Sequence, residues 1–277
     1  MSNQRTHDVT TTDGVTIVGT VHGQGPPLVF TQGGIGDCAL DWRALLPHLT
    51  GQFTCHLPSV RGRGLSSDHP DLGFGRLVAD MVAYVDSIGE TTGLVGWSHG
   101  GMMLAVAAQS DAVDAVAAVE PTIFSVMDDA ERAALGEAVA RTAELAAQGD
   151  MTEAARAFGG FPFNDAEIAK ADEAGYFEAA GRYVPTLLNQ LQQGVEYQGP
   201  TTDDPEVLGA ISAPVLLLHG SDTKLRVFAA GAQYVADYVP DATVREIPGA
   251  GHAAPLTHPE ALAEALTEFF SSAQQPA

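Results

Sequence analysis

The stretch Gly93-Leu94-Val95-Gly96-Trp97-Ser98-His99-Gly100-Gly101 places a serine between two closely spaced glycines at the end of an apolar run. The apolar run predicts a strand, and the Ala- and Met-rich residues 102–110 predict a helix directly after it. A Gly-x-Ser-x-Gly pattern between strand and helix is typical of a serine on a tight turn, with its hydroxyl exposed. The pattern alone is equally compatible with a glycine-rich turn that happens to contain a serine. The rest of the chain must therefore supply an acid, a histidine and oxyanion donors.

Length, composition and charge restrict the class of protein. The 277 residues and 45% hydrophobic content suit one large α/β domain, or a core domain with an insertion. A formal net charge of -22 disfavours nucleic acid and anionic membranes as partners, because both would be repelled. The spacing of the two cysteines, Cys38 and Cys55, fits neither a metal site nor a disulfide framework. We therefore expect reduced thiols, no metal and no cofactor.

The ends and the hydropathy of the chain bear on its location. Residues 1–8 lack the apolar segment of a secretion signal, and no apolar run approaches the length of a membrane span. We accordingly expect a cytoplasmic protein whose partner is a small-molecule substrate. A homodimer is compatible with the sequence, which does not specify the oligomeric state.

Strand and helix patterns alternate along most of the chain. Asp13-Gly14 predicts a hairpin between residues 9–12 and 15–21. The other predicted elements are strands at residues 28–31, 53–57, 113–119, 213–219 and 243–247, and helices at residues 42–49, 74–88, 228–238 and 259–271. Such alternation predicts a parallel sheet with helices on both faces.

Residues 122–208 interrupt this alternation. They are rich in Ala, Glu and Gln at helical spacing, with candidate helices at residues 128–148 and 165–181. We interpret them as a helical lid inserted into one α/β core, which consists of residues 1–121 and 209–277. The aromatic residues of the lid either line an apolar pocket or pack the lid on the core; they are Phe158, Phe161, Phe163, Tyr176, Phe177 and Tyr183.

A late histidine and an early glycine loop have the positions that catalysis requires. His252 follows the last predicted strand on a loop of small residues, where its imidazole can take the Ser98 proton and return it to the leaving group. The loop after the strand at residues 28–31 offers the amide of Gly34 as an oxyanion donor. The amide of His99, at a helix N-terminus, is the second expected donor.

Among the carboxylates between Ser98 and His252 in the chain, two are candidates for orienting the imidazole. Glu120 ends the strand that follows the Ser98 region, and Asp222 follows the strand that ends at Gly220. Position along the chain permits either one. The unused carboxylate is expected to cap a helix or to bond a loop.

Together these motifs resemble the α/β-hydrolase fold over essentially the whole chain. The resemblance implies an eight-stranded, mostly parallel sheet with an inserted helical lid. Most members carry the triad aspartate three residues after the strand-ending glycine, a place that Thr223 occupies in this sequence. Asp222 lies one residue earlier, so the usual acid position is in doubt.

A narrower group, which includes zearalenone-type lactone hydrolases, is similar in two further details. Its oxyanion loop resembles Gly34-Ile35-Gly36-Asp37-Cys38, and its acidic residue before a proline resembles Glu120-Pro121. In that group the glutamate is the triad acid, so we favour Glu120 and keep Asp222 as the alternative. Trp97 and His99, on either side of the serine, depart from the pattern of the group and leave the substrate open.

The leading interpretation is a serine hydrolase that cleaves an ester or lactone of a moderately hydrophobic small molecule through an acyl-enzyme. The candidate substrate-binding residues are Ile35, Trp97, Met102, Phe161 and Tyr183. Two alternatives remain. One is a carbon–carbon bond hydrolase or a cofactor-free perhydrolase or haloperoxidase on the same fold, and the other is a non-catalytic ligand-binding protein with a hydrolase scaffold.

Overall fold

The computed structural model describes residues 5–273, which are organised around one eight-stranded sheet. The strands are β1 (Thr6–Thr10), β2 (Thr16–Gly23), β3 (Pro27–Thr31), β4 (Thr54–Pro58), β5 (Thr92–Trp97), β6 (Val113–Val119), β7 (Val215–Gly220) and β8 (Ala242–Ile247). Their spatial order is β1-β2-β4-β3-β5-β6-β7-β8, and only the pairs that involve β2 are antiparallel. The predicted fold class is confirmed. The expectation about a secretion signal concerned residues 1–8, and residues 1–4 of these lie outside the described residues.

Helices surround the sheet, and six of them form the segment between β6 and β7. The helices before that segment are α1 (Cys38–Asp41), α2 (Leu46–Leu49), α3 (Phe74–Ile88) and α4 (Met103–Ala107). The segment itself contains α5 (Asp129–Ala147), α6 (Met151–Gly159), α7 (Asp165–Glu173), α8 (Tyr176–Ala180), α9 (Val184–Glu196) and α10 (Pro205–Gly209). The helices after β7 are α11 (Arg226–Tyr238), α12 (Ala254–Thr257) and α13 (Pro259–Ala273).

Two predicted helices before β6 differ from the structure. Of the helix predicted at residues 42–49 only α2, Leu46–Leu49, is helical, because Pro47 has no N–H for the carbonyl of Arg43 and occupies the first turn of α2. The preceding helix, α1, lies before the predicted range. The helix predicted at residues 102–110 is preceded by a 3-10 helix, Ser98–Met102, and α4 ends at Ala107. The 3-10 turn matters for the site, because it carries the serine.

The central strands are buried on both faces, as a parallel sheet between helices requires. Every residue of β5 is buried. Val95 and Trp97 of this strand belong to one apolar cluster, whereas Leu94 of the same strand belongs to another, which also contains Met102. Since successive side chains of a strand point to opposite faces, these clusters are the two layers of the core.

The inserted helices share a core with the sheet. Phe163, Tyr176 and Phe177 belong to the same apolar cluster as Trp97. Packing of the lid on the core therefore accounts for these three aromatic residues, and the pocket alternative does not apply to them.

The structure also bears on the predicted thiols and on the absence of a membrane span from the sequence prediction. The free thiols of Cys38 and Cys55 are buried, and burial raises the pKa of the Cys55 thiol to about 12. None of the helices within residues 5–273 combines the length and apolarity needed to cross a membrane.

Candidate active site

Ser98 lies directly after β5 in a backbone conformation that is uncommon for residues other than glycine. Its φ is 56°, in the left-handed region. A Cβ on Gly96 would lie 1.9 Å from the carbonyl oxygen of Gly100, and a Cβ on Gly100 would lie 2.6 Å from that of Thr31. Only glycine fits at either position. Strain of this kind is concentrated at functional sites, and here Ser98 and His99 are half-buried directly after a strand whose residues are all buried.

Glu120 emerges beside Ser98 because their strands are neighbours in register. Trp97 of β5 pairs with Val119 of β6, and the next residues along the two strands are Ser98 and Glu120. Glu120 also has a positive φ, 44°, and within residues 5–273 these two are the only residues other than glycine that do. Both strained positions are therefore candidate catalytic residues that were chosen from the sequence.

The Glu120 carboxylate is fully buried and accepts three hydrogen bonds. Its Oε2 lies 2.8 Å from Nδ1 of His252. Its Oε1 accepts from the Gly220 amide at 2.8 Å and from the Thr223 hydroxyl. The bond at Nδ1 assigns the proton of a neutral imidazole to that nitrogen, which leaves Nε2 free to accept a proton.

Asp222 makes the loop contacts expected of the unused carboxylate. It is exposed, and its Oδ1 accepts from the Ser221 hydroxyl at 3.0 Å. Its amide donates to the carbonyl of Ala250 at 2.8 Å. The structure brings Glu120, and not Asp222, against His252.

Aromatic side chains enclose His252, which is 1% exposed. Phe228 stacks on the imidazole with ring centroids 4.0 Å apart, and Phe163 lies at 6.0 Å. The indole Nε1 of Trp97 donates to the carbonyl oxygen of His252 at 2.7 Å. Trp97 was a candidate for binding substrate, but it is buried against Phe163 and holds the segment that bears His252.

The Ser98 hydroxyl has a different neighbour from the one that a triad needs. Its Oγ lies 3.4 Å from Oγ1 of Thr122, and the Thr122 amide donates to the Ser98 carbonyl at 3.2 Å. Among the hydrogen bonds of residues 5–273 there is none between Ser98 and His252. Catalytic hydrogen bonds are often long in ligand-free sites and tighten when substrate binds.

The loop after β3 is supported by a buried carboxylate. Asp41 accepts from the Gly33 amide at 2.8 Å and from the Tyr176 hydroxyl at 2.9 Å. Burial raises the pKa of Asp41 to about 7. Because the Gly33 amide is already bonded, the next amide, that of Gly34, remains the candidate donor from this loop. The His99 amide lies in the first turn of its 3-10 helix, where amides have no partner within the helix.

The side chain of His99 belongs to a buried polar chain. Gln190 accepts from the Arg63 guanidinium at 3.1 Å, so its amide nitrogen faces Nε2 of His99 at 3.0 Å. Arg63 also donates to the carbonyl of Gly36 at 2.8 Å. Burial, together with the Arg63 charge, lowers the pKa of His99 to about 4, and burial lowers the pKa of Arg63 to about 10. His99 is therefore neutral near pH 7.

The other substrate-binding candidates are placed unequally. Ile35 is 4% exposed and follows Gly34 beneath the lid, and Phe161 packs in a small cluster with Phe228. Met102 was also selected as a substrate-binding residue. It lies in the core layer on the opposite face of the sheet from Trp97, and the structure therefore corrects this selection. Tyr183 donates to Asp37 and lines a separate cavity of about 240 Å³ with Ser59 and Arg182, among others.

Several residues of the site were not chosen from the sequence. A Cβ on Gly34 would lie 3.6 Å from the Phe158 ring and 4.0 Å from Leu187, so these two lid residues cover the oxyanion loop. Thr223 and Phe228 contact the acid and the base. Thr223 carried one signal, because it occupies the usual acid position of the resembling fold. Phe158 was among the lid aromatic residues named as possible pocket lining, whereas Leu187 carried no signal, since its contact joins segments far apart in the chain.

A strained serine beside a buried carboxylate–histidine pair, at the carboxyl edge of a mostly parallel sheet, defines the α/β class of hydrolase folds. The comparisons agree with this class. The sequence model of the alpha/beta hydrolase family matches residues 21–265, and the chain belongs to this family.

Three relatives illustrate the range of the family. The 2-(acetamidomethylene)succinate hydrolase of Mesorhizobium japonicum is 27% identical over 258 residues, which cover 90% of each chain. The pimeloyl-(acyl-carrier protein) methyl ester esterase of Chromobacterium violaceum is 27% identical over 258 residues, which cover 90% of this chain and 96% of that one. The crystal structure of an alpha/beta hydrolase from Sphaerobacter thermophilus has a TM-score of 0.74 at 26% identity, covering 95% of this chain and all of that one. This chain is a hydrolase of that family, and the narrower likeness to lactone hydrolases stays a prediction.

Proposed function

We propose that this protein is a serine hydrolase that cleaves an ester or lactone bond of a moderately hydrophobic small molecule through an acyl-enzyme. One observation carries the proposal. The residues with strained backbone, Ser98 and Glu120, follow paired positions of β5 and β6, and Glu120 is bonded to His252.

The mechanism assigns one role to each group. The Ser98 hydroxyl attacks the carbonyl carbon while Nε2 of His252 takes its proton. Glu120 keeps the other proton on Nδ1 and stabilises the imidazolium. The amides of Gly34 and His99 donate to the oxyanion, and removing one such donor typically costs about 10²–10³ in rate. His252 then protonates the leaving alcohol, and a water that it activates hydrolyses the acyl-enzyme.

The apolar cover over Gly34 supports a substrate of moderate hydrophobicity. Phe158 and Leu187 face this glycine from the lid, and Ile35 follows it in the chain. Apolar side chains around a few fixed donors are the usual composition of a small-molecule site. The lactone part of the proposal rests on the resemblance of Gly34-Ile35-Gly36-Asp37-Cys38 to the oxyanion loop of lactone hydrolases.

Labelling by a fluorophosphonate probe tests the nucleophile. We expect the wild-type protein to be labelled and Ser98→Ala to remain unlabelled, whereas Ser271→Ala, an exposed serine of α13, should be labelled like the wild type. Absence of labelling in the wild type would favour a non-catalytic ligand-binding protein.

A substrate panel tests the reaction. Aryl esters, aliphatic lactones and macrolactones should include the substrate class, and 2-(acetamidomethylene)succinate belongs in the panel because a relative is named for its hydrolysis. Turnover of ring-cleavage diketones without turnover of any ester or lactone would replace ester hydrolysis by carbon–carbon bond hydrolysis. Halide-dependent oxidation by peroxide would indicate perhydrolysis.

A further inference from the structure

Two buried glutamates join the lid to the core by the same arrangement. α5 and α7 each begin with a capping box, in which the glutamate at the third helical position bonds back to the amide of the cap residue. Glu131 accepts from the Asp128 amide at 3.1 Å, and Glu167 accepts from the Asn164 amide at 3.0 Å. One carboxylate oxygen of each glutamate is used within the lid.

The second oxygen of each glutamate accepts from a backbone amide of the core. Glu131 Oε1 accepts from Val227 at 2.8 Å, at the start of α11. Glu167 Oε1 accepts from Ala253 at 2.6 Å. Because Ala253 directly follows His252, the second of these bonds fixes the backbone that carries the imidazole. The first does not reach that segment.

The N-terminus of α7 is pressed closely against the His252 segment. A Cβ on Gly251 would lie 2.7 Å from both the side-chain nitrogen Nδ2 of Asn164 and the carboxyl carbon of Glu167. The Asn164 side chain also donates to the carbonyl of Asp222 at 3.2 Å. The Glu167 side chain is 3% exposed, because α7 and the core together exclude solvent from it.

We infer that Glu167 is a positioning residue: its carboxylate holds the segment of His252 with the imidazole against Glu120, and it makes this placement dependent on the packing of α7 on the core. The inference rests on the proposed function for its kinetic consequence. The geometric part, which concerns His252 itself, is independent of any substrate.

The charges around the imidazole extend the argument. Glu120 faces His252 from the end of β6, and Glu167 faces it from α7. Burial raises the pKa of Glu167, whereas its two amide donors and the His252 charge act in the opposite direction. The nearest cation of α7, Lys170, is directed to the carbonyl of Thr257 at 3.4 Å. Removing the Glu167 charge therefore removes one of two carboxylates that favour the imidazolium.

Glu167→Gln tests the inference, and Glu131→Gln is the matched control. Both substitutions remove one charge and weaken one capping box and one lid-to-core bond, and Glu131→Gln also removes a long ion pair with the exposed Arg226, 3.8 Å between Oε2 and Nη2. Val227, the partner of Glu131, precedes Phe228, so the control also reports any loosening of the ring that stacks on His252. We expect similar decreases of Tm in the two variants. Only Glu167→Gln should lower kcat, by roughly 10-fold with KM nearly unchanged, because the base is misplaced.

Titration of His252 by NMR gives a readout that does not require activity. The His252 resonance is assigned with a His252→Gln variant. In Glu167→Gln we expect the imidazole to lose its proton at a lower pH than in the wild type, because one of the nearby carboxylates is removed. In Glu131→Gln the titration midpoint should remain at the wild-type value.

Two results would overturn the inference. One is an unchanged His252 titration in Glu167→Gln, and the other is an equal shift or an equal loss of kcat in both variants. If the wild type neither reacts with the fluorophosphonate nor turns over the panel, the proposed function fails, and the NMR comparison still decides the role of Glu167.

Discussion

Replacing Glu120 by glutamine should disable the base without disturbing its surroundings, and the structure shows why. The Gly220 amide and the Thr223 hydroxyl both donate to Oε1 of Glu120. In Glu120→Gln the amide oxygen must keep this side, so the NH2 group faces Nδ1 of His252. Since two donors cannot bond, the imidazole moves its proton to Nε2 and presents a lone pair at Nδ1. His252 then has no free site for the Ser98 proton.

The size of the effect follows from this change of tautomer. In a serine triad the corresponding acid-to-amide change lowers kcat on the order of 10⁴-fold. At about 1.36 kcal/mol per factor of ten, this equals about 5 kcal/mol of transition-state stabilisation. Stability should fall much less, because all three hydrogen bonds of the buried group are retained in the new tautomer. We therefore expect a nearly inactive protein that is folded.

The assay is kcat on an aryl ester, normalised to the concentration of folded protein and paired with thermal unfolding. Asp222→Asn is the control, because this side chain is exposed and bonds only Ser221. Its kcat should stay within about threefold of the wild type, as surface changes away from the site usually do. Retention of more than a tenth of kcat by Glu120→Gln, or a larger loss in Asp222→Asn, would refute the assignment of the acid.

Two further predictions concern the support of the site. Trp97→Phe keeps a ring in the core but leaves the His252 carbonyl without its donor, so we expect a loss of about 1–3 kcal/mol in the free energy of unfolding and a lower kcat, measured by urea titration and ester hydrolysis. Asp41, whose pKa is raised to about 7, holds a proton in the folded protein that the unfolded chain releases above about pH 4. Its contribution to stability is thus complete below that pH and is lost as pH rises toward 7. Asp41→Asn should remove up to about 4 kcal/mol of this decline, and an unchanged pH dependence of urea unfolding would contradict the account.

The sequence predicted the parts of the fold that follow from local periodicity. The helix Phe74–Ile88 and the strand Val113–Val119 have the predicted bounds, because each has a regular apolar pattern and clear ends. The helix predicted at residues 42–49 is shorter than expected and begins at Leu46, although Pro47 was visible in the sequence as a residue suited to a first turn. In the lid, the helix predicted at residues 165–181 ends earlier, at Glu173, and a left-handed Gly175 separates it from α8.

The candidate site was predictable where its residues lie at the ends of strands. Ser98, Glu120 and His252 each follow a recognisable strand, and parallel strands bring their carboxyl ends to one edge. The contacts of Glu167 and Gln190 were not predictable, because they depend on how the lid packs across the core. A capping-box pattern predicts the start of a helix, but it does not indicate what the second carboxylate oxygen bonds.

The position of Thr223 gives a physical reason for the choice of acid in this chain. Most members of the resembling fold place an aspartate there, after β7, where it reaches the imidazole directly. Here the threonine hydroxyl donates to the carboxylate of Glu120, which arrives from the neighbouring strand β6. The same loop therefore supports the proposed acid instead of supplying it, and Glu120 adopts a positive φ in this arrangement. An aspartate at position 223 would bring a second carboxylate against Glu120 and repel it, whereas the threonine hydroxyl donates a hydrogen bond to it.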